Sequence, residues 1–338
     1  MQRITFIRTS CLFVASFFFP SFGKKSKLSM MTVKGLIDSV DAGVCLEHEH
    51  VLVDFSGADK YNPTKWNRDE VILKVLPYLQ ELKENGCSTF FECTPEYLGR
   101  DVSLLLELSN KTGLNILTNT GYYGASNNKY LPEQAYTLDA SQLADIWTKE
   151  YENGIQGTSV KPGFIKIGVD PEPLNSIHEK LVLAAGLTHM RTGLTITSHT
   201  GPASTAFQEL EVLKHAGVHP SAFVWIHAQN EKEWSNYLKA AKMDSWISLD
   251  GLHDENVGNY SEMLVYLKEK KLLEKVLVSH DAGWYDPEKL KGGAFRNCNT
   301  LFEKLIPRLK SNGFSENEIN QILVVNPANA FSIRVRKF

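Results

Sequence analysis

Residues 44–55 read VCLEHEHVLVDF. Most of the stretch is apolar and β-branched, as in a buried strand, yet it carries two imidazoles and two carboxylates. Side chains alternate between the faces of a strand. His48 and His50 therefore share one face, and Glu47 and Glu49 share the other. Two imidazoles on one face make a metal site thinkable, although an HxH pair alone does not establish one.

Seven further runs of the same kind follow: CSTFFEC (87–93), LNILTNT (114–120), GFIKIGV (163–169), LTITSHT (194–200), AFVWIHA (222–228), SWISLDG (245–251) and KVLVSHD (275–281). Amphipathic helical patterns lie between them, such as 69–86 and 101–113, and Gly86, Gly113, Gly193 and Gly217 supply helix stops. Eight strand–helix units predict a parallel sheet with crossover helices. A (β/α)8 TIM barrel, typically about 250 residues, is preferred over an open doubly wound sheet, because the polar residues fall at the same end of so many strands. Residues 31–43 are expected to form a small N-terminal β-hairpin closing the barrel bottom, and 31–338 to be one barrel domain.

The ends of the runs decide where chemistry sits. Strand 1 ends in His48 and His50, strand 4 carries Lys166, strand 5 His199, strand 6 His227 and strand 8 Asp281. Barrel active sites are built at the C-terminal ends of strands, so His48 and His50 are expected in the mouth and Glu47 and Glu49 toward the helix layer. Each residue has a packing explanation when taken singly: a hydrogen-bonded core histidine, an Asp as helix cap, a Lys paired with a carboxylate. Together, burying so many polar groups without a partner would cost several kcal/mol, and a metal removes that cost. After strand 2, Glu92 is expected to pair with Arg100, and Asp101 to cap the second helix; the other reading makes Glu92 an acceptor for a ligand histidine.

The 338 residues are 43% hydrophobic and 22% charged with net charge −3, so no basic excess points to nucleic acid. The five cysteines show no CxxC spacing, which supports neither a thiolate zinc knot nor a redox motif. The first 30 residues read as an export signal or a tail. Arg3 and Arg8 precede an apolar run from Cys11 to Phe19, too short for a stable membrane span. RITFIR also resembles a twin-arginine signal, with Ile4 in place of the second Arg. The expected location is exported, periplasmic.

LEHEH, GRD (99–101), TGYY (120–123), FIKIG, TSHTG, WIHA, SHD and the closing VVNPANAF together resemble the phosphotriesterase-related branch of the amidohydrolase superfamily, including its phosphotriesterase-like lactonases, across residues 31–332. The resemblance implies a binuclear centre of two divalent ions, zinc foremost. His48, His50 and Asp281 would hold the more buried ion, and His199 and His227 the more exposed one. Lys166, carbamylated by CO2, would bridge both. An ammonium cannot bind a cation, whereas a carbamate is an anionic oxygen donor. Two such ions about 3.5–4 Å apart acidify a bridging water to a pKa of about 7. The resemblance implies that such a hydroxide would attack an ester carbonyl or phosphoryl centre, with Asp281 placed to take its proton.

The implied substrate is a small ester or lactone, with phosphotriester turnover as a side activity. Phosphoester hydrolysis as the main activity, a catalytically silent metal-binding protein and a mononuclear deaminase or isomerase are the alternatives. Self-association as a homodimer is left open by the sequence. Loops 94–101, 121–138, 251–259 and 282–295 offer Tyr97, Tyr122, Tyr123, Trp284 and Tyr285 to a pocket. Tyr123 matches a lactonase Tyr after strand 3. Gly251 follows the strand-7 Asp250 where lactonases of this kind carry Arg and dedicated phosphotriesterases carry His. His253 is the nearest polar replacement, which points to hydroxylated lactones.

Overall fold

The computed structural model describes residues 28–171 and 173–338. The expected N-terminal export signal lies almost wholly outside them. Among the described residues no helix is long and apolar enough to cross a membrane.

An antiparallel hairpin of β1 (Ser29–Thr32) and β2 (Gly35–Asp38) comes first. It starts earlier and ends sooner than the expected 31–43, because the apolar Met30 and Met31 are drawn into the barrel floor. The barrel strands are β3 (Cys45–Glu49), β4 (Thr89–Glu92), β5 (Asn115–Leu117), β6 (Asn119–Thr120), β7 (Phe164–Gly168), β8 (Ile196–His199), β9 (Phe223–Ile226), β10 (Trp246–Leu249) and β11 (Val276–Val278). Every recorded pairing between consecutive barrel strands is parallel. The third run is broken at Thr118: β5 pairs with β4, and β6 with β7. Across the break the Asn119 side-chain amide donates to the carbonyls of Glu92 (3.0 Å) and Thr94 (3.1 Å), replacing ladder bonds. The circle closes where Asp281 N donates to His48 O (3.0 Å) and His50 N to Ala282 O (2.9 Å). The chain is a (β/α)8 barrel.

The connecting helices are α1 (Arg68–Glu84), α2 (Val102–Thr112), a short α3 (Glu133–Thr137), α4 (Ala140–Asn153), α5 (Ser176–Thr192), α6 (Ala203–His215), α7 (Ser235–Lys242) and α8 (Val257–Glu269). Asp101 caps α2 by accepting from Leu104 N, and Gly113 ends it at φ 72°, a left-handed conformation that glycine adopts without steric cost.

Alternation along the strands sorts the apolar residues into two cores. Cys45, Phe91, Leu117, Phe164, Val224 and Leu277 fill the barrel interior. Phe331, from the C-terminal helix Asn326–Phe331, plugs its lower end, with ring centroids 4.5 Å from Phe91 and 5.9 Å from Phe164. Leu46, Phe90, Ile165, Trp225 and Ile247 pack outward against the helices. Full burial of each such side chain contributes roughly 1.5–3 kcal/mol. The floor is apolar and filled by side chains, which leaves the opposite end of the strands for chemistry.

Candidate metal centre

His48, His50, Lys166, His199, His227 and Asp281 line one cavity of about 190 Å³ at the C-terminal ends of the strands. Lys166 points inward between the outward-facing Ile165 and Ile167 and is 1% exposed. Its Nζ lies 3.3 Å from His48 Nε2. His50 Nε2 is 3.0 Å from Asp281 Oδ1, and His48 Nε2 is 3.8 Å from the same oxygen. His199 Nδ1 meets His227 Nε2 at 2.7 Å, and His227 Nε2 is 4.0 Å from Asp281 Oδ2. His227 (φ 61°), Asp281 (φ 50°) and Trp284 (φ 73°) hold left-handed backbone conformations around the cavity. These cost on the order of 1–3 kcal/mol each, so the surrounding fold must fix them.

The far side of three imidazoles is already engaged. His48 Nδ1 donates to Asp250 Oδ2 (2.9 Å), and His227 Nδ1 to Asp250 Oδ1 (2.7 Å). His50 Nδ1 donates to Thr94 Oγ1 (2.8 Å), whose own proton goes to Glu92 (2.5 Å). With each Nδ1 carrying the hydrogen, each Nε2 presents a lone pair to the cavity, the state a metal ligand needs. Electrostatics favour the neutral ring at His48 and His199, whereas at His227 burial is outweighed by Asp250, which raises the imidazole above its ordinary range. Burial and the neighbouring Lys166 charge push the His48 imidazole down to about 4. Burial, His227 and Lys166 hold His199 well below the ordinary range. Burial opposes ionisation of Asp281, but His48 and His50 outweigh it and keep the carboxylate charged. Convergent imidazole nitrogens, an amine and a carboxylate in one buried cavity are a donor set that fits first-row divalent ions.

Several sequence expectations are corrected. Glu47 does not face the helices. A register irregularity between Leu46 and Glu49 interrupts the alternation of β3. Glu47 bonds the inward Ser248, while Glu49 does turn outward to His280 Nδ1 (2.7 Å) and Cys298 Sγ (3.3 Å). Glu49 also accepts from Ala282 N, so it pins the chain on both sides of Asp281. Glu92 does not pair with Arg100. Glu150 of α4 takes the buried Arg100 at 2.5 Å, leaving Glu92 to support His50 through Thr94.

The expected pocket residues divide. Tyr123 and Trp284 line the cavity with Val53, Phe55, Leu98 and Cys93. Gly168 lets the Tyr123 ring lie flat against β7, since a Cβ there would meet it at 2.9 Å. Tyr97 and Tyr122 pack instead on one another and on Gln134 outside the cavity. Tyr285 is buried against Gly292. His253 is exposed and paired with Glu255 (2.7 Å) at the start of a short 3-10 turn, away from the cavity lining. The space next to Gly251 is filled by Gln229 and Tyr260, which a Cβ would meet at 2.7 and 3.2 Å.

A sequence model for the phosphotriesterase family matches residues 28–331. The chain belongs to that family. The phosphotriesterase homology protein of Escherichia coli (strain K12) is 29% identical over 293 residues, covering 86% of this chain and 98% of the relative. The aryldialkylphosphatase of Saccharolobus solfataricus is 29% identical over 312 residues, covering 88% and 98%. The solved structure of the phosphotriesterase from Mycobacterium tuberculosis superposes with a TM-score of 0.81 at 26% identity, covering 91% of this chain and 99% of that one. Membership in this binuclear family and the convergent His/Asp groups make the protein a metal-dependent hydrolase.

Proposed function

We propose that the protein hydrolyses small carboxylic esters, lactones foremost, at a pair of divalent ions, zinc by preference of the donor set. His48, His50 and Asp281 would hold one ion, His199 and His227 the other, and carbamylated Lys166 both. Bound ions of this kind supply an acidified water and polarise the oxygen of the scissile group. The chain's own residues do the rest. Asp281 stays ionised and reaches the same space as His50 and His227, so it is placed to accept a proton. Burial pushes the Tyr123 phenol far above its ordinary range, so it remains a neutral O–H donor beside His199, at a ring distance of 5.0 Å. Val53, Phe55, Leu98 and Trp284 exclude water from the substrate side.

The observation that carries the lactone reading is the size and lining of the cavity. A volume of about 190 Å³ is below the roughly 300 Å³ at which sites for drug-sized ligands begin, and its walls away from the candidate ligands, Val53, Phe55, Leu98 and Trp284, are apolar. A compact lactone fits such a space better than a bulky aryl phosphate. With His253 placed outside, the earlier preference for hydroxylated lactones loses its support. A second reading, phosphoester hydrolysis, is favoured by the name of the Saccharolobus relative.

The test is a panel of short- and long-chain lactones, aryl esters and dialkyl aryl phosphates, assayed with protein reconstituted in zinc and bicarbonate. Short lactones should give the highest kcat/KM. A higher value for the phosphates would establish the second reading, and no turnover at full metal occupancy would refute both. Lys166→Ala should abolish turnover and regain part of it with added short carboxylates, which supply the missing bidentate oxygen donor. Full activity of Lys166→Ala with both metals retained would rule out the carbamate.

A further inference from the structure

The loop that follows β6 holds a rare stretch of backbone. Ser126 (φ 63°), Asn127 (φ 56°) and Asn128 (φ 61°) are all left-handed, the only run of three such non-glycine residues among the described ones. L-residues enter this region singly and at steric cost, Ser more than Asn, so a run needs outside support. The turn closes on itself where Asn128 N donates to Gly124 O (3.0 Å). Asp170, two residues past the end of β7, supplies the support. Its Oδ1 accepts from Ser126 N (2.7 Å) and its Oδ2 from Asn127 N (3.0 Å). Successive backbone N–H groups of a turn converge on an anion, and here the anion is a side chain of the same molecule. From α5, His178 Nε2 braces the turn as well, 3.1 Å from Gly124 O and 2.9 Å from Asn128 Oδ1.

What the turn supports is Tyr123. The Tyr123 backbone bridges to Gly168 of β7, and Gly124 N donates to Gly168 O (2.9 Å). The ring stands 5.0 Å from His199, and Tyr130, just past the turn, meets it edge-on at 5.8 Å. Ser126 reaches the phenol with its side chain. The loop thus meets Tyr123 at both ring and hydroxyl. Asp170 is absent from the cavity lining, so its influence must pass through the turn. We propose that Asp170 is a positioning residue: by receiving the Ser126 and Asn127 N–H groups it locks the left-handed turn that holds the Tyr123 phenol at the cavity. The inference rests on the donor role given to Tyr123 above. Lys166 lies on β7 and Asp170 just beyond it, so one strand end both carries a candidate ligand and fixes the cavity wall.

The experiment compares four zinc-loaded full-length proteins: native, Asp170→Ala, Tyr123→Phe and the double variant. kcat/KM is measured on whichever member of the panel the native protein turns over fastest, so the choice between lactone and phosphoester does not enter. Asp170→Ala should lose about 10- to 100-fold, the scale of a contact misplaced by about 1 Å. In the Tyr123→Phe background the same change should cost almost nothing, because the hydroxyl it positions is gone. A turn that matters only for folding would cost as much in either background, so additive losses would overturn the proposal. Zinc content should equal the native value in all four proteins. A loss of zinc in Asp170→Ala would place its effect at the ligands and also overturn it. A second readout needs no turnover. Lys129 is exposed at the end of the turn. A lysine-specific protease should cut after it about 10-fold faster in Asp170→Ala, since the charge-assisted bonds no longer keep the turn closed. Equal cutting rates would show that Asp170 does not hold the turn. If the native protein hydrolyses no member of the panel, the ester reading fails, and the protease comparison still decides whether Asp170 locks the turn.

Discussion

Two carboxylates at the centre have different tasks, and their surroundings separate them. Asp281 faces the cavity and its Oδ1 meets His50 Nε2; Asp250 lies behind the ligands and is 0% exposed. Asp281→Asn keeps an oxygen donor but loses the proton acceptor, so kcat should fall by about 10²–10⁴-fold while metal content changes little. An unchanged rate at full occupancy would remove Asp281 from proton transfer. Asp250→Asn should show the opposite pattern. One amide cannot accept from both His48 and His227 as a carboxylate does, so zinc affinity should drop by about 10- to 100-fold. Turnover at saturating zinc should then recover, and failure to recover would place Asp250 in the reaction itself. The His, Lys and Asp facing the cavity were legible in the sequence because each ends a strand-like run. Asp250 was visible only as the residue before Gly251. Its role depends on β3 and β9 presenting two rings to one carboxylate, a contact spanning 202 positions in sequence. Glu47 was misread because a register irregularity in β3 is invisible to strict alternation.

The strands and their order could be read because buried parallel strands give apolar runs of the right length between helical patterns. The break at Thr118 could not be read, since it depends on the Asn119 amide reaching across to β4. Helix α4 matters for the same reason: it brings Glu150 under Arg100, a pairing no local spacing announces. Helix α6 carries a further buried acid. Glu209 lies behind the end of β8, where its Oε2 accepts from Thr200 Oγ1 at 2.5 Å, a hydroxyl also 3.0 Å from Ser198 O. Burial raises its carboxyl from the ordinary 4.5 to about 8. The folded state thus holds this proton more tightly than the unfolded chain. The stability it contributes is complete below pH 4.5, declines as the unfolded chain ionises, and is gone once pH passes about 8. Tm should therefore fall across that window, and Glu209→Gln, which cannot ionise, should flatten the decline. Parallel Tm–pH curves for the two proteins would show that Glu209 is already charged in the fold.

At the scale of the whole molecule, the barrel keeps apolar packing at one end and its titratable side chains at the other. The floor is packed with Phe91, Phe164 and Phe331. At the mouth, His199 Nδ1 stands 2.7 Å from His227 Nε2 and Lys166 Nζ stands 3.3 Å from His48 Nε2, with three left-handed residues nearby. Bound cations would replace these contacts between donor atoms with stronger metal–ligand bonds. Metal should therefore stabilise the fold beyond simple occupancy of a surface site. Ligand present at 100 times its Kd contributes about 2.7 kcal/mol per site, which for a chain of this size is several degrees of Tm. Elemental analysis after reconstitution in bicarbonate should find two divalent ions per chain, and the thermal transition should rise in two steps as zinc is added to metal-free protein. Chelation should reverse the shift without unfolding the barrel, because the floor does not depend on the ions. A single equivalent at saturation, or a Tm that ignores zinc, would mean that the convergent side chains hold one another and not a binuclear centre.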